Sequence, residues 1–322
     1  MANNHDQFIE FDKAISLSKN KKEQLISQRQ SLRDKISNYF SDNYGDEIQP
    51  AYRMQGSFAM ETLLNPIKDD DGLAVYDLDD GVYFIGDVKE RMSVSTYHNR
   101  VVSAVDGHTQ TPPKNKSTCV RVIYADGHHI DLPIYFQEPN KSPQLAHLTK
   151  GWMTSCPKEL YEWFNNQSTH PQLRRIVKYL KAWADYVESE NQRIKMPCGC
   201  ILTILAVYHF LPNDRDDIAF KDVVSKMYDS LQQLFYCRRP VEPYENLFEE
   251  YSDTRRDAFL DELRSLKDDA VRAINSKNPH DACLKWQLHF GERFCCSSAF
   301  DKDEDALEQS SAGPKLNTSR YA

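Results

Sequence analysis

The sequence lacks any apolar run of the ~20 residues that a membrane-spanning helix needs. Its opening stretch, MANNHDQFIEFDKAISLSKNKK, has no apolar segment of the kind a secretory signal carries, so the expected location is the cytosol. It also lacks any Cys-x-x-Cys. The eight cysteines (Cys119, Cys156, Cys198, Cys200, Cys237, Cys283, Cys295 and Cys296) offer only a Cys-x-Cys and a Cys-Cys pair, too poor a pattern for a structural zinc site. Reduced thiols are the expectation. There is no excess of positive charge. Forty Lys and Arg against 48 Asp and Glu leave a net charge of −8, the wrong sign for a protein whose main task is to grip long nucleic acid. No internal repeat is visible. What remains is an ordinary globular composition, 40% hydrophobic and 27% charged, in 322 residues, enough for one large domain or two.

Apolar residues at helical spacing (Phe8, Phe11, Ile15, Leu25, Leu32, Ile36, Phe40) predict one helix over 6–43. Its Lys- and Arg-rich stretch 18–35 reads as a solvated face. From 48 to 137 the pattern shortens to the strand-like runs IQPAYRMQG, AVYDLDDGVYF, STCVRVIYAD and HHIDLPIYF, with a helix over 87–108. Strands with a helix beside them make an α/β or α+β unit. Residues 136–159 contain three prolines and read as a connector. Beyond them PQLRRIVKYLKAWADYVESEN, CGCILTILAVYHFL, FKDVVSKMYDSLQQLFYC, SDTRRDAFLDELRSLKDDAVRAINS and DACLKWQLHFGERF read as helices. Residues 301–322 read as a flexible tail.

Strands avoid aspartate, yet the second run contains three. Side chains two apart share a strand face, so Asp77 and Asp79 point the same way and Asp80 the other, in a structural role. Asp131 sits in a further apolar strand. If the two strands are neighbours, three carboxylates converge in a form suited to two hard cations, Mg²⁺ or Mn²⁺, and to phosphoryl or nucleotidyl transfer. Gly56 lets backbone approach a ligand, and Ser57 adds a hydroxyl beside turn amides that suit a phosphate. The DDDG run at 69–72 reads as a solvated loop.

Gly-Ser followed by DLD and HHIDLP resembles the nucleotidyltransferase fold shared by DNA polymerase beta, poly(A) polymerase, oligoadenylate synthetase and cyclic GMP-AMP synthase. QGSF…TLLNP…YDLDDGVY, IDLPIY, VKYLKAWADY and CGCILTILAVYHF are similar to the bacterial cyclic-oligonucleotide synthases of anti-phage defence, the Vibrio cyclic GMP-AMP synthase type above all. The resemblance spans about 50–215, and is weaker beyond. It implies an α+β, two-lobed, polymerase-beta-like fold: a nucleotidyltransferase lobe with its long N-terminal helix over 1–150, a helical lobe over 151–300, and the site in the cleft between. It places Gln55, Gly56 and Ser57 in a phosphate-binding turn and Asp77, Asp79 and Asp131 as catalytic ligands of two Mg²⁺ ions. Lys178 is expected on the donor triphosphate, with Lys181 assisting or merely exposed. Cys198 stands where relatives carry a phosphate-binding serine.

The implied activity joins two or three nucleoside triphosphates, ATP and GTP among them, into a cyclic messenger that activates a separate effector. The rivals are a linear oligonucleotide or tailing enzyme and an inactive nucleotide-binding scaffold. The resemblance also makes the terminal Ala322 a candidate for conjugation by a ubiquitin-ligase-like partner. No membrane and no long nucleic acid are expected as partners, since nothing corresponds to the zinc-binding insertion of the animal DNA sensor.

Overall fold

A computed structural model describes residues 1–45, 48–67 and 75–301. The DDDG run and the tail ending in Ala322 lie outside those residues. In chain order the elements are α1 (His5–Ile15), α2 (Lys19–Tyr44), β1 (Ala51–Gln55), the short α3 (Gly56–Ala59), β2 (Asp77–Ile85), α4 (Val94–Val105), β3 (Lys114–Asn115), β4 (Cys119–Ile123), β5 (His129–Gln137), β6 (Gln144–His147) and β7 (Gly151–Thr154). Then come α5 (Pro157–Gln167), α6 (Pro171–Glu190), α7 (Gly199–His209), α8 (Asp216–Gln233), α9 (Asp253–Asn275) and α10 (Pro279–Phe290). None of these helices is long and apolar enough to cross a membrane.

Seven strands form one mixed sheet in the order β1-β2-β5-β4-β3, with β6 and β7 continuing from the far end of β5. Only β2 and β5 run parallel, and they pair side by side from Asp77–His129 to Ile85–Gln137. Alternation then sorts the side chains. Leu78, Val82, Phe84, Ile130, Leu132, Ile134 and Phe136 form a core with Leu25, Leu32, Ile36 and Phe40 of α2 and with α4. Asp77, Asp79, His129 and Asp131 take the other face. Asp80 falls among the core-facing set, fully buried, and the Arg33 guanidinium of α2 holds both of its oxygens, Nε at 2.6 Å. That is the structural role its position predicts.

The single helix expected over 6–43 is two. Ser16 and Ser18 are extended, and the Ser18 hydroxyl caps α2 by accepting from the Lys21 amide. The break sends the two helices into different cores. Phe8, Phe11 and Ile15 are buried with α6, α7, α8, α9 and α10 in a second, helical core that also takes Met60 and Leu64. The expected connector is likewise corrected: it contains the β6–β7 hairpin, turned at Gly151 with φ +76°, and α5 begins at its last proline. The expectation of reduced thiols fails at Cys283 and Cys296, which form a disulfide where the chain folds back against α10; the other six are free.

Candidate active site

The parallel pairing of β2 and β5 sets Asp77 beside His129 and Asp79 beside Asp131 on one face of the sheet. One ligand atom each from Asp77, His129 and Asp131 lies within 4.8 Å of the others. Arg121, opposite Asp131 on β4, donates from Nε and one terminal nitrogen to its two oxygens at 2.7 Å each. Bidentate geometry of this kind is strong and fixes the carboxylate plane. Asp79 has no such partner among the described residues. Burial, then the charges of Asp77 and Asp131, push its pKa up to about 8, with Arg121 and Lys181 only partly offsetting them.

Gly56 explains why the chain can pass so close to Asp79. Its φ is +69°, and a Cβ there would stand 2.1 Å from Asp79 Oδ2. Only glycine satisfies both the backbone and the space. The turn it opens is closed by the Thr62 amide donating to the Ser57 carbonyl at 2.9 Å. Gln55, just before it, is buried; its Nε2 donates to the Tyr135 hydroxyl at 3.1 Å, and its Oε1 has no partner among the described residues.

A cleft of about 480 Å³ runs between sheet and helices, lined by Gln55, Gly56, Ser57, Asp77 and Asp79 on one side and by Lys181, Asp185, Gly199, Cys200 and Arg239 on the other. Of the two candidate lysines, Lys181 is the one in the cleft. Its Nζ donates to Thr62 Oγ1 at 2.8 Å, and desolvation lowers its pKa to about 8. Gly199 gives it passage, since a Cβ there would lie 2.9 Å from Lys181 Cε. Lys178, one turn earlier, points elsewhere. It is buried, pairs with Asp12 and donates to Ser16 Oγ at 2.8 Å, and it does not line the cleft. Cys198 is exposed at the N-cap of α7, makes no capping hydrogen bond and also stays outside the lining, which takes its neighbours Gly199 and Cys200.

Sequence reasoning missed His129, Thr62, Arg121 and Arg239. For His129 the signal was present: it stands two residues before Asp131, the same spacing that groups Asp77 with Asp79. Arg121, Thr62 and Arg239 come near only through tertiary folding.

Residues 50–135 match the family model described as the nucleotidyltransferase domain of cyclic GMP-AMP synthase DncV-like proteins. A curated relative, the cyclic GMP-AMP synthase of Escherichia albertii, is 26% identical over 198 residues, 58% of this chain and 43% of that one. The chain thus spans less than half the length of that relative. Among solved structures, Vibrio cholerae DncV with nonhydrolyzable GTP superposes with a TM-score of 0.78 at 18% identity, covering 91% of this chain and 97% of that one. The same Vibrio enzyme with the linear intermediate 5′ pppA(3′,5′)pG gives 0.75 at 19% identity over 91% and 98%. Escherichia coli DncV with 3′-deoxy GTP gives 0.73 at 20% identity over 87% and 93%. The family model, the curated relative and the solved structures agree: residues 50–135 are similar to the DncV-like nucleotidyltransferase domain, and the chain as a whole shares its two-lobed α+β fold.

Proposed function

We propose that this protein joins nucleoside triphosphates, ATP and GTP first among them, into a cyclic dinucleotide with release of pyrophosphate. The observation that carries the reading is the convergence of Asp77, Asp79 and Asp131 on one face of two parallel strands, with Asp77 and Asp79 lining the cleft across from Lys181. A DncV structure that holds a linear pppA(3′,5′)pG intermediate is consistent with two successive transfers in one pocket.

The donor set fits hard divalent ions, because three carboxylates meet on one face of the sheet and Gly56, lacking a Cβ, leaves room for the carboxylate of Asp79. Mg²⁺ or Mn²⁺ held by Asp77, Asp79 and Asp131, two ions by family resemblance, would supply neutralisation of the triphosphate and a more acidic ribose hydroxyl. The chain's own groups do the rest. Amides of the turn after Gln55 and the Ser57 hydroxyl bind phosphate. Lys181, kept in line by Thr62, is held in its charged form by the approach of the triphosphate and fixes it. Arg121 holds Asp131 in the plane needed to face the attacking hydroxyl. Alignment of this kind is worth several kcal/mol of barrier. The product would act as a messenger to a separate effector in anti-phage signalling.

Two lysines separate the roles. Lys181→Met is expected to raise KM for the triphosphate by ~10–100-fold, the cost of one hydrogen bond to a charged group. Lys178→Met loses the pair with Asp12 and should lower Tm with KM close to wild type. Initial-rate kinetics and a thermal melt on both variants check this. If the two KM values moved the other way round, the assignment of the cleft lysine would be wrong.

The reaction itself is tested with all four ribonucleoside triphosphates and Mg²⁺, phosphatase treatment, and mass spectrometry. The expected product resists phosphatase and has no free phosphate ends. Linear chains alone would make the protein an oligonucleotide polymerase. No product, with triphosphate still bound in calorimetry, would make it a nucleotide-binding scaffold.

A further inference from the structure

The proposed chemistry uses three carboxylates and leaves one neighbour of theirs without a task. His129 occupies the fourth corner of the rectangle formed by Asp77, Asp79 and Asp131 on β2 and β5. It is 5% exposed, and its ring makes no hydrogen bond to any described residue. Yet one ring nitrogen lies within 4.8 Å of carboxylate oxygens on both Asp77 and Asp131. A largely buried imidazole set against two carboxylates calls for an explanation. The adjacent histidine shows the ordinary case: His128 faces into the fold with Nδ1 on Asp126 and Nε2 2.8 Å from Gln28 Oε1. His129, one residue on, is turned to the acids.

The donor chemistry is also specific. Mg²⁺ takes oxygen ligands, and an imidazole nitrogen moves preference toward first-row transition ions. Arg121 does not block the site. It uses one acceptor position on each oxygen of Asp131, and an ionised carboxylate has about four. We infer that His129 is a metal ligand alongside Asp77 and Asp131, and that this mixed nitrogen and oxygen site takes a first-row divalent ion such as Mn²⁺ in preference to Mg²⁺. The inference rests on reading the cleft as a metal-dependent nucleotidyltransferase site, and it adds a nitrogen ligand and a metal preference to that reading.

The test uses the full chain and Mn²⁺ alone, without nucleotide. Binding is followed by loss of the free Mn²⁺ signal in electron paramagnetic resonance, and ligation by electron spin-echo envelope modulation. The expected spectrum carries ¹⁴N modulation from a directly bound imidazole, which changes to the ¹⁵N pattern when histidine is ¹⁵N-labelled. In His129→Gln that modulation disappears, and Mn²⁺ binds at least ~10-fold more weakly, the lesser cost of losing even a partner of a ligand. Mg²⁺ affinity, read by competition, stays unchanged. Mn²⁺ bound by the wild-type chain without nitrogen modulation would overturn the inference and leave the carboxylate site standing. So would modulation that persists in His129→Gln. If the wild-type chain bound no Mn²⁺ with or without ATP, the metal-dependent reading of the cleft would fall with it. The wild-type spectra decide the question even if the variant does not fold.

Discussion

Asp79→Asn is expected to abolish turnover and to raise the melting temperature. On the reading above, Asp79 binds metal beside Asp77, so loss of its charge should lower kcat by ~10³-fold, within the range typical of lost acid–base or metal-holding groups. The gain in stability comes from the same charge. Asp79 sits in a partly buried site between two further carboxylates, with Arg121 and Lys181 too weak to compensate, and its pKa rises to about 8. An unfolded chain releases that proton near ~3.9. Between those two values the folded state binds more protons than the unfolded state, so stability falls as pH rises across the window. Asparagine removes the penalty. The variant's Tm should exceed wild type by ~2–4 °C for each kcal/mol of repulsion removed, with the gap wide at pH 8 and closing toward pH 4. Calorimetry at several pH values, beside a turnover assay, checks both halves. A variant less stable than wild type at pH 8 would show that Asp79 is held by attractive contacts instead.

Gly56→Ala should be nearly as damaging to activity, through geometry alone. Its φ of +69° costs a non-glycine residue ~1–2 kcal/mol. The larger effect is the new methyl, 2.1 Å from Asp79 Oδ2, which has to push that carboxylate or the turn aside. A displacement of about 1 Å at a reacting centre can cost ~10²-fold in rate. Gly45→Ala is the matched control. Gly45 also has positive φ, +73°, but nothing lies within 4 Å of where its Cβ would stand, so only backbone strain is added. Both variants should lose Tm, and only Gly56→Ala should lose kcat. Equal loss of kcat in the two would assign the effect to general destabilisation.

Much of this site was legible in sequence because strands impose a period of two. Asp77 and Asp79 share a face, Asp80 opposes them, and Asp131 repeats the pattern in a strand whose apolar neighbours mark it as central. His129 obeys the same period, but carboxylates alone satisfy the expected chemistry and so leave it unremarked. The choice between Lys178 and Lys181 was not legible. They are three residues apart on one helix, near enough in angle that only the packing of α6 against α1 turns one to Asp12 and leaves the other in the cleft. The break between α1 and α2 hid because no proline or glycine marks it; the signal was Ser18, a capping residue set in a run of lysines. The β6–β7 hairpin hid among prolines, with strands of four residues too short to show alternation.

The early crossing of the chain has a consequence for modularity. Phe8 of α1 packs at 5.0 Å from the rings of both Tyr179 and Trp286, deep in the helical core, while α2, only a few residues on, backs the sheet. Met60 and Leu64, from the segment that follows the Gly56 turn, also reach into that helical core. A cut between the lobes near residue 155 would therefore strip the helical half of its first helix and leave the sheet half holding apolar residues with nothing to cover them. Neither lobe is a portable unit. Exchange between relatives by recombination at a single junction would break a core each time, so the two halves of the cleft are bound to be inherited, and to diverge, together.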